Sequence, residues 1–170
     1  IGPIPKEGER TRDRSTSSQM TDAINWAIAQ NNDKVSPYYG KLEVKKIAVS
    51  GMSCGGLQAL ETAPDPRVTT TVICNSGILA NPGSGMPGMP LLAKDHDFNR
   101  INHVPVFVAN MDVGHGGTYG QPHGGEFAKV ATAWFQWQLK NDKEAGKMFT
   151  GNPSGLSKNP VWKVDRKKIK

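Results

Sequence analysis

The segment from Val44 to Thr62, VKKIAVSGMSCGGLQALET, constrains the fold more than any other part of the chain. The run Ile47–Val49 is short, apolar and rich in β-branching, which predicts a buried strand. Good helix formers occupy Leu57–Glu61, and Pro64 follows shortly after them. Between strand and helix lies Gly51–Gly55, a G-x-S-x-G pattern. The sequence therefore predicts a serine at the tip of a sharp turn from strand to helix.

A strand, a sharp turn with serine at its tip and a helix together form the nucleophile elbow of a serine hydrolase. The turn holds Ser53 in a strained conformation and lifts its hydroxyl clear of the sheet. We expect the chain to pass so closely that Gly51 and Gly55 tolerate little beyond glycine. The backbone N–H of Cys54 would then donate to a developing oxyanion at the start of the helix.

Length and composition limit the classes of protein that fit. A chain of 170 residues makes one domain with a sizeable core. Apolar residues make up 36% and charged residues 21%, which excludes a disordered or membrane-embedded composition, and no apolar run is long enough to span a membrane. The net charge of +6 is densest in Lys163–Lys170, which favours a solvated basic tail over a nucleic-acid site.

The cysteines and histidines give no pattern for a metal or cofactor. Cys54 and Cys74 form no disulfide framework, and we expect both to be small buried residues. His115 and His123 have a spacing that matches no standard metal site. We predict that the protein needs no metal and no cofactor.

Apolar strands alternate with helices along the rest of the chain. This order predicts an α/β fold with a mostly parallel sheet covered by helices on both faces. The predicted helices are 19–32, 126–140 and a short one at 142–149; the further strands are 68–74 and 104–110; loops are expected at 1–18, at 81–90 and after residue 149.

One histidine stands where a serine hydrolase carries its general base. His115 follows the 104–110 strand directly and is surrounded by three glycines, which suit a loop that swings an imidazole over the elbow. His96 and His103 are expected at the surface. Trp134 and Trp137 share the buried face of their helix, so we expect them in the core rather than as a sugar-binding platform.

The catalytic acid is not identified by the sequence. It should lie between Ser53 and His115, in the loop after the strand that precedes the strand of the histidine. Asp95, Asp97 and Asp112 are in range, but none has that context. The sequence thus predicts a nucleophile and a base, and leaves the acid unknown.

Three segments, KIAVSGMSCGGLQALE, DPRVTTTVICNSGIL and VGHGGTYGQPHGGEFAKVATAWFQWQLK, resemble a group of secreted fungal α/β-hydrolases. These are related to dienelactone-hydrolase-like and polyester-depolymerase-like serine esterases. The resemblance covers most of the chain. It implies the α/β-hydrolase fold, Ser53 as nucleophile, His115 as base, a secretory origin, and a small or polymeric ester as substrate.

Departures from that family imply that the chain is an incomplete hydrolase domain over residues 1–170. Ile1–Pro3 resembles the end of the fourth strand, so the earlier strands and the second oxyanion donor would be absent. Between Leu79 and Phe98 the family carries a further strand and the acid. Ser154 and Ser157 stand where a cysteine pair is expected. Either the sequence omits segments of a longer chain and numbers the remaining residues continuously, or the chain truly lacks its inner strand and its acid.

Three functions therefore remain in view. The first is a serine esterase that forms an acyl-enzyme on Ser53. The second is a catalytically inactive hydrolase-like domain, without the acid, that binds a ligand or partner in the old cleft. The third is a peptidase on the same scaffold. Nucleic-acid and membrane partners are not expected, and the oligomeric state is open.

Overall fold

A two-stranded parallel sheet lies at the centre of the first part of the fold. The computed structural model describes residues 15–77 and 98–169. The predicted β-branched segments form β1 (Ile47–Met52) and β2 (Val68–Cys74). The two strands run parallel, with Ile47 opposite Val68 and Met52 opposite Cys74. Their carboxyl ends therefore meet at one edge, where Ser53 and Asn75 follow.

Two helices cover this sheet with apolar side chains. Helix α1 spans Ser17–Asn32 and helix α2 spans Cys54–Thr62. Ile24 of α1, Val49 of β1 and Ala59 of α2 form a buried core, to which Met20 and Ile28 add partly buried contacts. The helix predicted over 19–32 is thereby confirmed, and its packed side chains recur at the spacing of one helix face.

A second sheet corrects the predicted arrangement of the third strand. Strand β3 (Val106–Asn110) pairs antiparallel with β4 (Lys163–Lys167), whereas a place in the parallel sheet was expected. In the described residues β3 does not pair with β2. The loop predicted after residue 149 is likewise wrong for Lys163–Lys167, which form β4. Val164 lies opposite Ala109, and the long side chain of Lys167 places its ammonium over the Phe98 ring, 4.6 Å from the centroid.

The final helices follow the sequence prediction with one shortening. Helix α3 spans Gly125–Lys140, and a 3₁₀ turn at Pro122–Gly124 precedes it. Helix α4 covers only Lys143–Gly146. Asp142 caps its start by accepting from two backbone N–H groups. After Gly146 the N–H groups of Met148 and Phe149 bond to carbonyls three residues back instead of four, so the α-helix ends there. A further 3₁₀ turn occupies Leu156–Lys158.

An aromatic cluster of Phe107, Trp134, Trp137 and Phe149 connects the two sheets. The Phe149 ring lies 5.0 Å from Trp134, 5.1 Å from Phe107 and 5.6 Å from Trp137, centroid to centroid. Trp134 also donates its indole N–H to the Thr70 hydroxyl of β2 at 2.8 Å. The prediction that both tryptophans belong to the core is confirmed, and Trp134 joins β2 to the ring of β3.

The serine pair near the C-terminus forms a local hydrogen bond in place of the cysteine pair that the resemblance implied. Ser154 is fully buried, and its hydroxyl lies 2.5 Å from the hydroxyl of Ser157. This contact satisfies a hydroxyl that would otherwise be costly to bury.

The described residues thus form a mixed α/β structure with a small parallel sheet and packed helices. None of the described helices combines the length and apolar character needed to cross a bilayer. Residues 1–14 and 78–97 lie outside the described structure, and with them most of two predicted loops, Ile1–Pro3, His96, Asp95 and Asp97.

Replacement of Phe149 by alanine should destabilise the fold strongly. The ring is 1% exposed and contacts three other aromatic rings. Large-to-small changes of this kind cost about 3–5 kcal/mol of unfolding free energy. Urea unfolding should show this loss, whereas Val35→Ala, at an 88% exposed position, should stay within about 0.5 kcal/mol of wild type. A loss below about 1 kcal/mol for Phe149→Ala would contradict the role of the cluster.

Candidate active site

Ser53 occupies the sharp turn between β1 and α2 with an unusual backbone conformation. Its φ is 54° and its ψ is −120°, a combination that residues with a Cβ rarely adopt. Such a conformation costs on the order of 1–3 kcal/mol and persists only when the surroundings hold it. The sharp turn predicted from the sequence is confirmed.

The end of β2 holds both sides of this residue. The backbone N–H of Ser53 donates to the Cys74 carbonyl at 3.1 Å. The Ser76 hydroxyl donates to the Ser53 carbonyl at 2.6 Å. Since the N–H and the C=O are both fixed by one neighbouring strand end, the strained conformation has a structural cause outside the turn itself.

The positions around the turn that require glycine are Gly51 and Gly56, whereas Gly51 and Gly55 were predicted. A Cβ built on Gly51 would lie 2.1 Å from the Gly55 carbonyl oxygen, so this position requires glycine. A Cβ on Gly56 would lie 2.4 Å from the Ser76 Cβ. A Cβ on Gly55 meets no described atom within 4 Å, so the expectation for Gly55 is wrong. The close approach falls one residue later, because Gly56 is the position of α2 that faces the end of β2.

Cys54 is the first residue of α2, with an exposed side chain. The prediction of a buried thiol is therefore wrong for Cys54, because α2 buries a different face, that of Gly56, Ala59 and Thr62. Cys74 is half-buried. As the first residue of the helix, Cys54 has a backbone N–H with no acceptor inside the helix, which leaves it available to an anion.

His115 lies in the loop after β3, and Asn75 holds that loop from the end of β2. The Asn75 side-chain amide donates to the His115 carbonyl at 2.7 Å and approaches the Gly114 carbonyl at 3.4 Å. The His115 residue is exposed. Ser53 and His115 both lie in the described part of the chain, and no hydrogen bond joins their side chains there. The structure connects their backbones through two consecutive residues: Ser76 bonds to the Ser53 carbonyl, and Asn75 bonds to the His115 carbonyl.

Thr118 anchors the other end of the histidine loop. It is 3% exposed, and its hydroxyl donates to the Gly124 carbonyl and accepts from the Phe127 N–H, both at 2.9 Å. The loop is thereby fixed to the first turn of α3. Sequence reasoning did not single out Thr118, because it lies seven positions before the first residue of α3, too far for the usual capping signal.

Tyr119 joins the same loop to β2. Its ring packs edge-on against Phe127 at 5.5 Å. Burial raises the pKa of the Tyr119 phenol well above its ordinary value, and a hydrogen bond with the Cys74 thiol raises it further. The phenol is therefore neutral throughout the physiological range and contributes a polar contact between β2 and the loop.

The catalytic acid remains unassigned among the described residues. Asp112 is exposed and makes no hydrogen bond to His115 within the described chain. Asp95 and Asp97 lie outside the described residues. No group of three or more histidine, cysteine or acidic side chains gathers anywhere in residues 15–77 and 98–169. His103 and His123 are exposed.

An open cavity of about 370 Å³ lies away from these residues. Side chains of α3, α4 and the Leu156 turn line it, with Glu126, Lys129, Glu144 and Lys147 among them. Glu126 pairs with Lys129 and Glu144 pairs with Lys147, so the charges at this cavity are already balanced. Neither Ser53 nor His115 borders it.

No protein-family model matches this chain, and no curated protein matches its sequence.

Alanine substitutions at Gly51 and Gly55 should have opposite outcomes. Gly51→Ala forces a Cβ onto the Gly55 carbonyl, and overpacking of this kind costs about 1–3 kcal/mol or more. Gly55→Ala enters open space in the first turn of a helix, where alanine is better than glycine by up to about 1 kcal/mol. Urea unfolding of both variants measures the difference. Equal destabilisation by the two substitutions would contradict the described turn.

Tyr119 should fail to ionise where an ordinary tyrosine does. Because the pKa of Tyr119 is higher in the folded than in the unfolded state, the neutral phenol stabilises the fold. This stabilisation is fully present at a pH below the unfolded pKa of about 10, and it is lost as the pH rises through the folded pKa. The phenolate absorbance that folded wild type gains up to about pH 11 should therefore equal that of Tyr119→Phe. A smaller signal in Tyr119→Phe would show that Tyr119 titrates normally.

Proposed function

We propose that this chain is a serine hydrolase that cleaves carboxylic esters through an acyl-enzyme on Ser53. The observation that carries the proposal is the backbone of Ser53, with φ 54° and ψ −120° at the junction of β1 and α2. Strain of this kind at a serine exposes its hydroxyl at the edge of a sheet, which is the arrangement of a nucleophile elbow. A turn that served only to connect a strand and a helix would not require it.

In the proposed reaction the Ser53 Oγ attacks the ester carbonyl carbon while His115 takes the hydroxyl proton. A bond forms between Oγ and carbon, and the carbonyl electrons move to oxygen. The Cys54 N–H stabilises that oxyanion, aided by the start of α2. When the tetrahedral intermediate collapses, His115 returns the proton to the leaving alcohol. Water, activated by His115, then releases the acid. Acyl transfer by these groups uses no metal and no cofactor.

We further propose the α/β-hydrolase fold and a secreted origin, both supported by the family resemblance of the Ser53 and His115 segments. The parallel pairing of β1 and β2 and the position of His115 after β3 agree with that fold. The substrate would be a small or polymeric ester. A comparison of turnover on matched ester and amide substrates distinguishes an esterase from a peptidase on the same scaffold.

A specific observation favours a second function, a hydrolase-like domain that binds a ligand without turnover. Asp112 is the candidate acid inside the described structure, and it is exposed and does not bond to His115. In a Ser–His–Asp triad a base held in the wrong tautomer loses about 10⁴ in rate. On this alternative, ester turnover by the folded chain would be slower by that order, and His115→Ala would barely change it.

A fluorophosphonate probe should label Ser53 in the folded protein, because the probe reacts with an activated serine hydroxyl. Ser53→Ala should abolish labelling. His115→Ala should slow it by about 10²–10⁴-fold, the usual contribution of a general base. Peptide mapping by mass spectrometry locates the label.

Cys54→Ala provides the matched control for this experiment. It removes the neighbouring exposed thiol and keeps the backbone N–H, so it should still label at Ser53. An unlabelled wild-type protein with an intact fold would overturn the assignment of Ser53 as nucleophile. Labelling that is equal in wild type and His115→Ala would favour the inactive, ligand-binding alternative.

A further inference from the structure

The end of β2 contacts both catalytic segments through three consecutive residues, Cys74, Asn75 and Ser76, which we call the β2 terminus. We infer that the β2 terminus is a positioning element that sets the His115 loop relative to Ser53. Cys74 and Ser76 hold the Ser53 turn, while Asn75 holds the loop. The inference rests on the proposed function, because it assigns how the proposed nucleophile and base are kept together.

The contacts to the Ser53 turn are made at both sides of one residue. Ser53 donates its N–H to the Cys74 carbonyl at 3.1 Å and accepts from the Ser76 hydroxyl at 2.6 Å. The Ser53 carbonyl also accepts from the Gly56 N–H at 2.9 Å, which begins α2. Ser76 is thus bonded to the carbonyl that links the nucleophile to its helix.

The contacts to the histidine loop come from the residue between these two. Asn75 donates through one side-chain nitrogen to the His115 carbonyl at 2.7 Å. The loop also packs closely on Asn75, because a Cβ on Gly117 would lie 3.3 Å from that same nitrogen. The backbone carbonyl of the proposed base is therefore bonded directly to the strand that holds the nucleophile.

The backbone of Asn75 explains why this residue type suits the position. Its φ is 45°, in the left-handed region that asparagine and aspartate tolerate better than most residues. The position therefore needs a residue that accepts a positive φ and carries a side-chain donor, and asparagine meets both needs. Aspartate meets the first need and fails the second, which makes it the informative substitution.

The positioning works because the Ser53 turn and the His115 loop are both hydrogen-bonded to the end of the same strand. β2 is paired with β1 along its length and is hydrogen-bonded to Trp134. The Ser53 turn and the His115 loop come from different parts of the chain, 62 positions apart in the numbering. Since a displacement of about 1 Å can cost about 10²-fold in rate, such a shared reference would have a direct catalytic effect.

The test is Asn75→Asp, which keeps the size and tolerance of positive φ but places a carboxylate against two carbonyl oxygens. Asn141→Asp is the matched control. Asn141 has a φ of 58°, is exposed, and ends α3. Asn75→Asp should raise backbone hydrogen exchange in peptides covering residues 112–119 by about tenfold or more, while peptides of α1 stay unchanged. Asn141→Asp should leave the 112–119 peptides as in wild type.

A second measurement examines whether Asn75 acts through His115. Fluorophosphonate labelling of Ser53 should slow by about 10²-fold in Asn75→Asp. The double variant Asn75→Asp/His115→Ala should label no more slowly than His115→Ala alone, because the positioning effect vanishes once the base is gone. Additive losses would mean that Asn75 acts on general stability, which would overturn the inference. Ser76→Ala, which removes one hydroxyl, should instead raise exchange in peptides covering residues 53–57.

The two measurements separate the inference from the proposed function. If wild type is not labelled at Ser53, the proposed function fails, and the exchange experiment still decides whether Asn75 fixes the loop. If the 112–119 peptides exchange at the wild-type rate in Asn75→Asp, the inference is overturned whatever the labelling shows. Faster exchange in those peptides, with α1 unchanged, supports it.

Discussion

The left-handed backbone at Ser53 is the constraint on which the arrangement of this site depends. A residue with φ near 54° does not hold that conformation by itself, so neighbouring chain must supply the stabilisation. The parallel register of β1 and β2 provides it, because it brings the Cys74 carbonyl opposite the turn and allows the Ser76 hydroxyl to reach the Ser53 carbonyl. Gly51 is then required, since a side chain there would collide with the first turn of α2.

The same strand connects the turn to the rest of the protein. Trp134 of α3 bonds to Thr70 of β2, and its ring packs with Phe107 and Phe149. The histidine loop connects β3 to α3. Because this aromatic cluster packs β3 against α3, it also fixes the two ends of the loop. The polar contacts of Asn75 and Thr118 complete the attachment at the loop itself. Burial of aromatic surface thus fixes the large elements, and a few hydrogen bonds fix the loop that carries the proposed base.

Much of the local structure could be predicted from sequence, because local periodicity and turn chemistry determine it. The apolar run before Ser53, helix α1 and the buried face of α3 all appear as expected. Pairing between distant segments could not be predicted in the same way. The charged run at Lys163–Lys167 resembles a solvated tail, yet it pairs with β3, because strand pairing depends on backbone groups that any sequence carries. Gly55 and Gly56 show the same limit. Both suit a tight turn by composition, and only the approach of Ser76 distinguishes them. Asn75 carried a visible turn signal, but its contact with His115 joins residues 40 positions apart.

The most direct test of the account is to trap the acyl group on the protein. The folded chain would be mixed with an activated acetate ester, quenched in acid within the first turnover, digested, and mapped by mass spectrometry. The account predicts one acetyl group, carried as an oxygen ester on Ser53 and resistant to neutral hydroxylamine at exposures that cleave thioesters. An acetyl group on the exposed thiol of Cys54, or none on a properly folded chain, would contradict the claim that Ser53 is the nucleophile.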